Sequence, residues 1–441
     1  MSGLFSFVAL FQFYFNIVMI RKLCFLSLLS LLLLSCVPDE TPSIILEDFS
    51  VSIAPGALQP NMKPYALINS TDGEVVDFKS FESNSKLTFS LDNSQRYHVT
   101  LFKIIDFNGF EIINSETYTD VKPDNDLIFG LKPKAIIGPD YSSQVLVKVN
   151  FPEAGGWANI SHSSGWTSSI FNTLINNSDN FLEIKVPKFN SEQNYLIIAE
   201  NALGVRKQMM LDLRNASSSL EVNFSDLNEI EEISYLASTG LNSDDEIKGF
   251  TVHQAIPYEN QIYRKGFLYS AANANPMNQL QEMNLYFPSS EELYQVHLVA
   301  RSKINPSILK YFSGQLKAGD RIPLPIENQI EVTNHSIGDF SFVKGSKVTD
   351  WVIKYNIPVH SNTPPYQSSK AFIYGESSGF KLKYPQELLD KYSFLDQLFT
   401  WKPESLEVFE RGYSYGQLIQ NRLVSIPELK QEKTSSMLKV F

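Results

Sequence analysis

The chain has 441 residues, of which 48 are acidic and 37 are basic, and its formal net charge at pH 7 is −11. No basic run follows residue 22, which argues against a nucleic-acid partner, because phosphates are bound by clustered Lys and Arg. Only two cysteines occur, Cys24 and Cys36, so neither a disulfide framework nor a cysteine-based metal site is predicted. The length predicts two to four domains rather than one core.

The first predicted element is a secretory signal. Arg21 and Lys22 precede an apolar run at 23–34, and the small residue Ser35 precedes Cys36. A positive start, a short apolar stretch and a small residue before the cleavage point are typical of a signal peptide, and this one is too short to span a membrane. The letters LLSC, ending at Cys36, closely resemble the lipobox of bacterial lipoprotein signals. That resemblance implies that the Cys36 thiol carries a lipid anchor.

The segment before Arg21 leaves two interpretations open. Residues 1–18 are apolar and uncharged, whereas a start at Met19 places a basic pair directly before the apolar run. We therefore expect 1–35 to contain the signal peptide, with residues 1–18 contributed by an over-extended gene start. The rival interpretation is a membrane-embedded N-terminus with an unmodified Cys36.

Residues 36–42 are predicted to be the lipidated cysteine and a polar tether. The acidic pair Asp39 and Glu40 resembles the export signal of surface-exposed lipoproteins in some outer-membrane bacteria, and a solvated linker is the alternative interpretation. We expect the protein to lie in the cell envelope, lipid-anchored to the outer membrane. Outward display is favoured over a periplasmic orientation.

Most of the remaining chain alternates apolar and polar residues between Asn, Gly and Pro turns, which is typical of β-strands. In a recurring pattern, an alternating strand is followed by a short polar loop and then by a tyrosine that opens the next strand. These tyrosines are Tyr97, Tyr195 and Tyr294, at spacings of 98 and 99 residues. A repeat of this length predicts tandem β-sandwich modules.

The repeated tyrosine resembles the tyrosine corner of immunoglobulin-like and fibronectin type III-like modules. In that corner the ring is buried and the hydroxyl bonds to the backbone of the preceding loop. We therefore predict an all-β chain of tandem β-sandwich modules in a row, with a short helix admissible in the last one. The predicted modules are 43–133, 134–226, 227–326 and 327–428, and the residues 429–441 are predicted to be a tail.

The fourth module is the least regular of the predicted repeats. Tyr392 lies 98 residues after Tyr294, but its apolar neighbours follow helical spacing after Pro385. Tyr392 is therefore expected on a helix inserted in the module. Better support for a fourth repeat is the tripeptide GQL at 416–418, which matches the letters at 314–316.

Two groups of residues are candidates for binding or catalysis. Trp157 and Trp166 flank small residues with hydroxyl and imidazole donors, as a sugar-binding loop requires, and the alternative is two core indoles. The letters GESSG at 375–379 match the G-x-S-x-G pattern of serine hydrolases. An alternating segment follows Ser377 where that motif needs a helix, so a simple hairpin is favoured and no catalytic residue is assigned.

No metal site and no cofactor are predicted. The histidines form no H-E-x-x-H pair, and His98 and His297 are interpreted as ordinary strand residues. The acidic letters DDE at 244–246 offer oxygen ligands suited to calcium, but they lack the EF-hand spacing, so a solvated loop is favoured. No phosphate-binding glycine loop or dinucleotide motif occurs.

The leading functional prediction is a lipid-anchored, non-catalytic binding or scaffold protein that displays β-sandwich modules. Its predicted partners are the membrane, through Cys36, and a protein or glycan that the sequence does not identify. The second prediction is a glycan-binding accessory lipoprotein of a surface uptake system, with Trp157 and Trp166 as sugar platforms. The third and least favoured is a hydrolase on a β scaffold that uses Ser377.

Overall fold

The computed structural model describes residues of the second of two compact units, Glu47–Phe441, together with Leu46, where the first strand begins. The predicted signal peptide, the Cys36 anchor and the tether therefore lie outside the described residues. The described ranges are 46–81, 86–131, 141–151, 156–162, 174–178, 180–189, 194–213, 218–229, 232–236, 245–258, 261–272, 282–286, 293–317, 320–324, 330–358, 366–424 and 434–441.

The first segment, within the predicted module 43–133, folds as two facing sheets. Its strands are β1 (Leu46–Ile53), β2 (Met62–Ser70), β3 (Val75–Ser80), β4 (Lys86–Asp92), β5 (Tyr97–Phe107), β6 (Phe110–Val121) and β7 (Leu127–Phe129). Strands β6, β5, β2 and β3 are neighbours in one sheet, and β4, β1 and β7 form the other. Alternate residues such as Val51, Phe89 and Leu101 point between the two sheets and are buried in a shared core, because successive side chains of a strand face opposite sides.

The second segment, which extends three residues past the predicted module 134–226, also has two sheets. Its strands are β8 (Tyr141–Asn150), β9 (Trp157–His162), β10 (Leu174–Ser178), β11 (Phe181–Phe189), β12 (Asn194–Asn201), β13 (Arg206–Asp212), β14 (Ser219–Asn223) and β15 (Asn228–Glu229). The sheets have the orders β10-β11-β8-β14 and β15-β13-β12-β9. Val147 of β8, Ile184 of β11 and Ile197 of β12 meet in its core.

The third segment contains a strand pair and four long strands. The pair is β16 (Glu232–Leu236) with β19 (Glu282–Tyr286), and the long strands are β17 (Asp245–Tyr258), β18 (Gln261–Ala272), β20 (Leu293–Ser302) and β21 (Ile308–Lys317). Each of β18, β17, β20 and β21 pairs antiparallel with the next in that order.

The last segment mixes strands with short helices. Its elements are β22 (Glu331–Asn334), β23 (Phe340–Val343), β24 (Asp350–Ile357), β25 (Tyr366–Gly375), β26 (Gly379–Phe380), α1 (Gln386–Lys391), a 3-10 helix (Ser393–Phe399), β27 (Ser405–Arg411), α2 (Tyr415–Ile419), a short π-helix (Gln420–Val424) and β28 (Thr434–Val440). The helical spacing is matched by α1, although Tyr392 is the C-cap residue that follows this helix and does not lie on it. In contrast, Gly416 lies on α2 whereas Gly314 lies on β21, so the GQL match does not reflect a shared structure.

One twelve-stranded sheet joins the first, third and last segments. Its order is β18-β17-β20-β21-β28-β27-β24-β25-β6-β5-β2-β3. The junction between the first and last segments is a parallel pairing of Phe110–Tyr118 in β6 with Tyr366–Tyr374 in β25. The predicted tail instead supplies β28, which pairs antiparallel with both β21 and β27 and buries Met437. The all-β fold is confirmed, and backbone hydrogen bonds join its first, third and last segments in one sheet, while the second segment keeps its own two sheets.

Tyr97 has the geometry of a tyrosine corner. Its ring is buried where β5 begins, the backbone N–H of Asp92 donates to its hydroxyl over 3.1 Å, and the hydroxyl donates to the Asp92 carbonyl over 3.4 Å. The loop before β5 is thereby tied to the strand. Tyr294 is fully buried near the start of β20. Tyr195 pairs with Leu211 as the second residue of β12, and its side chain lies outside the described residues.

Candidate functional site: a cavity beside a β-bulge

Of the two predicted sugar-binding tryptophans, the structure describes only the backbone of Trp157. Trp157 begins β9 and pairs with Asn201 of β12. The side chain of Trp157 and the whole of Trp166 lie outside the described residues. Their role as a ligand platform therefore stays a prediction.

Asp245 and Glu246 do not lie in a solvated loop, because Asp245 opens strand β17, and Asp244 lies outside the described residues. Its carboxylate lies 2.7 Å from the Lys310 ammonium, and both side chains are almost completely buried. A buried charge needs such a partner, since an unpaired one would cost several kcal/mol of desolvation. Glu246 pairs with Lys248 at the surface. No cluster suited to a metal ion occurs among the residues that the structure describes.

Ser377 lies in the turn between β25 and β26, but the predicted hairpin does not form, because β26 has only two residues and pairs with β23, whereas β25 pairs with β24 and β6. Both glycines of the motif are explained by packing. A side chain at Gly375 would collide with the indole of Trp351, and one at Gly379 would collide with the Phe340 carbonyl. Trp351 in turn donates its indole N–H to the Ser377 carbonyl over 2.5 Å. The two glycines therefore leave the space that the Trp351 indole and the neighbouring strand β23 occupy. The turn is followed by a strand, whereas the serine of a hydrolase lies on a strained turn between a strand and a helix.

A β-bulge lies opposite this turn, at the end of β6. Tyr97 pairs with Val121 and Val99 pairs with Tyr118, so that two residues, Thr119 and Asp120, stand opposite the single residue His98. Asp120 has a φ of 56°, in the left-handed region that few residues other than glycine adopt. Bulges and such backbone angles recur beside functional sites, where they redirect a side chain.

His98 holds the bulge in place. The backbone N–H of Asp120 donates to Nδ1 of His98 over 3.1 Å, and the imidazole is 2% exposed. Nδ1 accepts this bond only while it carries no proton, so the neutral ring has its proton on Nε2. Burial lowers the pKa of His98, and the nearby Asp120 carboxylate opposes that shift only in part. The histidine thus supports the bulge in its neutral form.

The Asp120 carboxylate and its neighbours connect the bulge to the Ser377 turn. The Ser377 hydroxyl donates to Asp120 Oδ2 over 2.5 Å. Arg96 Nη1 donates to the Asp120 carbonyl and to Glu376 Oε1, each over 3.1 Å. The Ser377 hydroxyl therefore bonds to a carboxylate, whereas the His98 imidazole bonds to the backbone N–H of the same aspartate.

Helix α2 is fixed beside the same turn. Ser414 caps its N-terminus, and the reciprocal bonds with Gln417 form a capping box. Tyr415 is buried, and its hydroxyl donates to the Tyr374 carbonyl of β25 over 2.8 Å. Burial raises the pKa of the Tyr415 hydroxyl well above its usual value, which keeps that donor protonated. A five-residue helix is thereby held against the sheet.

These elements line a cavity of about 460 Å³ that is open to the surface. Its wall carries charges of both signs, amide side chains and an apolar part. The wall is formed by the bulge, the loop after β6, the Ser377 turn, α2 and the π-helix that follows α2. The lining residues are Arg96, Asp120, Val121, Lys122, Asp124, Asn125, Leu127, Glu376, Ser414, Tyr415, Gly416, Gln417, Ile419, Gln420 and Val424. Sequence reasoning missed this site because its two halves are about 280 residues apart in the chain.

Comparisons with known proteins provide no family assignment: no protein-family model and no curated protein sequence matches this chain. Among the described helices, none has the length and apolar character that crossing a membrane requires.

Proposed function

We propose that this protein is a lipid-anchored, non-catalytic binding or scaffold protein of the bacterial cell envelope, held in the outer membrane and displayed outward. The observation that carries the proposal is the signal that ends in LLSC at Cys36, after a basic pair and a short apolar run. Stable residence in a membrane needs more than one acyl chain, which the fully acylated N-terminal cysteine of this lipoprotein class supplies.

Two features of the fold support binding rather than hydrolysis. The twelve-stranded sheet connects three segments of the chain through backbone hydrogen bonds, which suits a rigid support. The G-x-S-x-G match is accounted for by packing around Trp351, and its serine hydroxyl bonds to the Asp120 carboxylate. A surface cavity with fixed walls fits a binding role better than an arrangement for acyl transfer, which needs a base on the serine hydroxyl.

Acylation can be tested with the full chain expressed in an outer-membrane bacterium that is fed radioactive palmitate. The protein should incorporate the label and should partition into the detergent phase. Cys36→Ser should abolish both, whereas the matched control Cys24→Ser, within the apolar run, should retain both. Protease treatment of intact cells should degrade the protein if it is displayed outward. An unlabelled wild-type chain, or a labelled Cys36→Ser chain, would contradict the anchor.

A further inference from the structure

We propose that the cavity between the bulge and α2 is a binding site for a neutral saccharide. The inference deepens the proposed binding function by assigning it a site and a ligand class, and it moves the site away from Trp157 and Trp166. The cavity volume of about 460 Å³ lies within the range of small-molecule sites, roughly 300–1,000 Å³. The volume is sufficient for one or two sugar rings.

The charges of the wall nearly cancel. Arg96 and Glu376 pair with each other at 3.1 Å. Lys122 and Asp124 contribute one charge of each sign, which leaves the Asp120 carboxylate as the excess. An anion would face three carboxylates in this wall, and a cation would face a guanidinium and an ammonium. Because like charges disfavour binding, the wall favours a ligand without net charge.

The remaining groups match the two faces of a sugar. Asn125, Gln417 and Gln420 present amides, each of which donates and accepts hydrogen bonds as a sugar hydroxyl does. Ile419 and Val424 supply an apolar wall on which the C–H face of a sugar ring can pack.

The polar groups of the wall are positioned before any ligand arrives. The bulge fixes the direction of Asp120 through the bond from its N–H to His98, and the Ser377 hydroxyl holds the carboxylate. The capping box fixes Gln417, whose side-chain oxygen accepts the Ser414 N–H over 2.9 Å. A fixed site loses less conformational freedom on binding, which favours affinity for a small polar ligand.

The probe is a microarray of neutral and acidic oligosaccharides incubated with the full chain in detergent. The neutral oligosaccharide that binds most tightly is then titrated calorimetrically. We expect the neutral members to bind and the acidic members to bind more weakly. No neutral binder at millimolar concentration, or a clear preference for acidic members, would overturn the proposal. Because palmitate labelling tests the anchor separately, failure of either proposal is recognised independently.

A matched pair of glycine variants locates the site. Gly416 lines the cavity on α2, and a Cβ there would come no closer than 3.9 Å to Ser414 Oγ, so Gly416→Phe should fill the cavity while the helix forms. Gly412 has open space around it and does not line the cavity. Gly416→Phe should weaken saccharide binding about tenfold or more, whereas Gly412→Phe should leave it unchanged. Binding retained in Gly416→Phe would exclude this cavity.

A second pair of variants covers the case in which Gly416→Phe fails to fold, as judged by thermal unfolding. Asp120→Asn keeps the shape of the side chain but removes its charge, and should weaken binding about tenfold, because bonds to a charged acceptor are the stronger ones. Asp106→Asn, at the far end of β5 and outside the cavity, is the control. Equal affinities of these two variants would also overturn the proposal.

Discussion

His98 is the residue on which the geometry of the bulge depends, because its unprotonated Nδ1 accepts the Asp120 N–H. The same residue gives the site a pH dependence. In the folded protein, burial holds the pKa of His98 below the ordinary value of 6.5, so the ring stays neutral where an exposed histidine already takes up a proton.

The first residue-scale prediction concerns stability in mild acid. Above about pH 6.5 the ring is neutral in both states, and His98 adds no pH dependence. As the pH falls below that value, the unfolded chain binds the proton first, so the free energy of unfolding decreases until the folded pKa is passed. His98→Asn should remove this part of the decrease, measured by urea unfolding at about pH 7.5 and about pH 5.5.

His335 provides the control for that measurement. Burial and the charges of Lys402 and Lys439 also lower its pKa, but its side chain is only half-buried and lies outside the bulge. His335→Asn should therefore preserve the contribution of His98. Equal pH slopes for wild type and His98→Asn would show that the histidine does not titrate in this way.

At the scale of elements, the loop between β4 and β5 is tied to β5 by Tyr97. Tyr97→Phe should lower the free energy of unfolding by about 1 kcal/mol, because the hydroxyl loses its bonds to the Asp92 backbone. Tyr97→Ala should lower it by about 3 kcal/mol or more, as the loss of a buried aromatic ring does. Chemical denaturation of the three proteins provides the measurement. A neutral Tyr97→Phe variant would mean that the hydroxyl contributes nothing to the corner.

The elements that the sequence predicted are those set by local pattern. Strict alternation of apolar and polar residues predicted strands such as β5 and β11, and the helical spacing of apolar residues after Pro385 predicted α1. Pairing partners were not predictable, because the register of β6 on β25 joins residues about 256 apart, such as Gln367 and Glu111. The GQL tripeptides show the same limit: three residues do not define a conformation, and their surroundings made one a strand and the other a helix.

The candidate site could be predicted only in fragments. The letters around Ser377 directed attention to the correct turn, but for catalysis rather than for the cavity beside it. The left-handed angle at Asp120 has no signal in the sequence. It arises from the bulge in β6, and that bulge depends on how Val121 and Tyr118 pair with strand β5. Arg96 and Glu376 meet only because β6 and β25 are neighbours in the folded sheet.

At the scale of the whole molecule, the C-terminal strand connects the two halves of the large sheet. Strand β28 pairs with β21 of the third segment on one side and with β27 of the last segment on the other. Its Ser435 hydroxyl also donates to the Pro323 carbonyl over 2.5 Å. The strand therefore completes the backbone hydrogen bonding of two interior neighbours, whose N–H and C=O groups would otherwise lack partners.

Removal of residues 434–441 should consequently prevent folding of the sheet, whereas loss of a true tail would be neutral. Met437→Ala, at a fully buried position, should cost about 2–4 kcal/mol, and the control Val440→Ala, at an exposed one, about 0.5 kcal/mol or less. Circular dichroism and size-exclusion chromatography measure the truncated chain, and urea unfolding measures the two point variants. A truncated chain that stays monomeric with native unfolding would show that the sheet does not require this interior strand, and that β28 is not what joins β21 to β27.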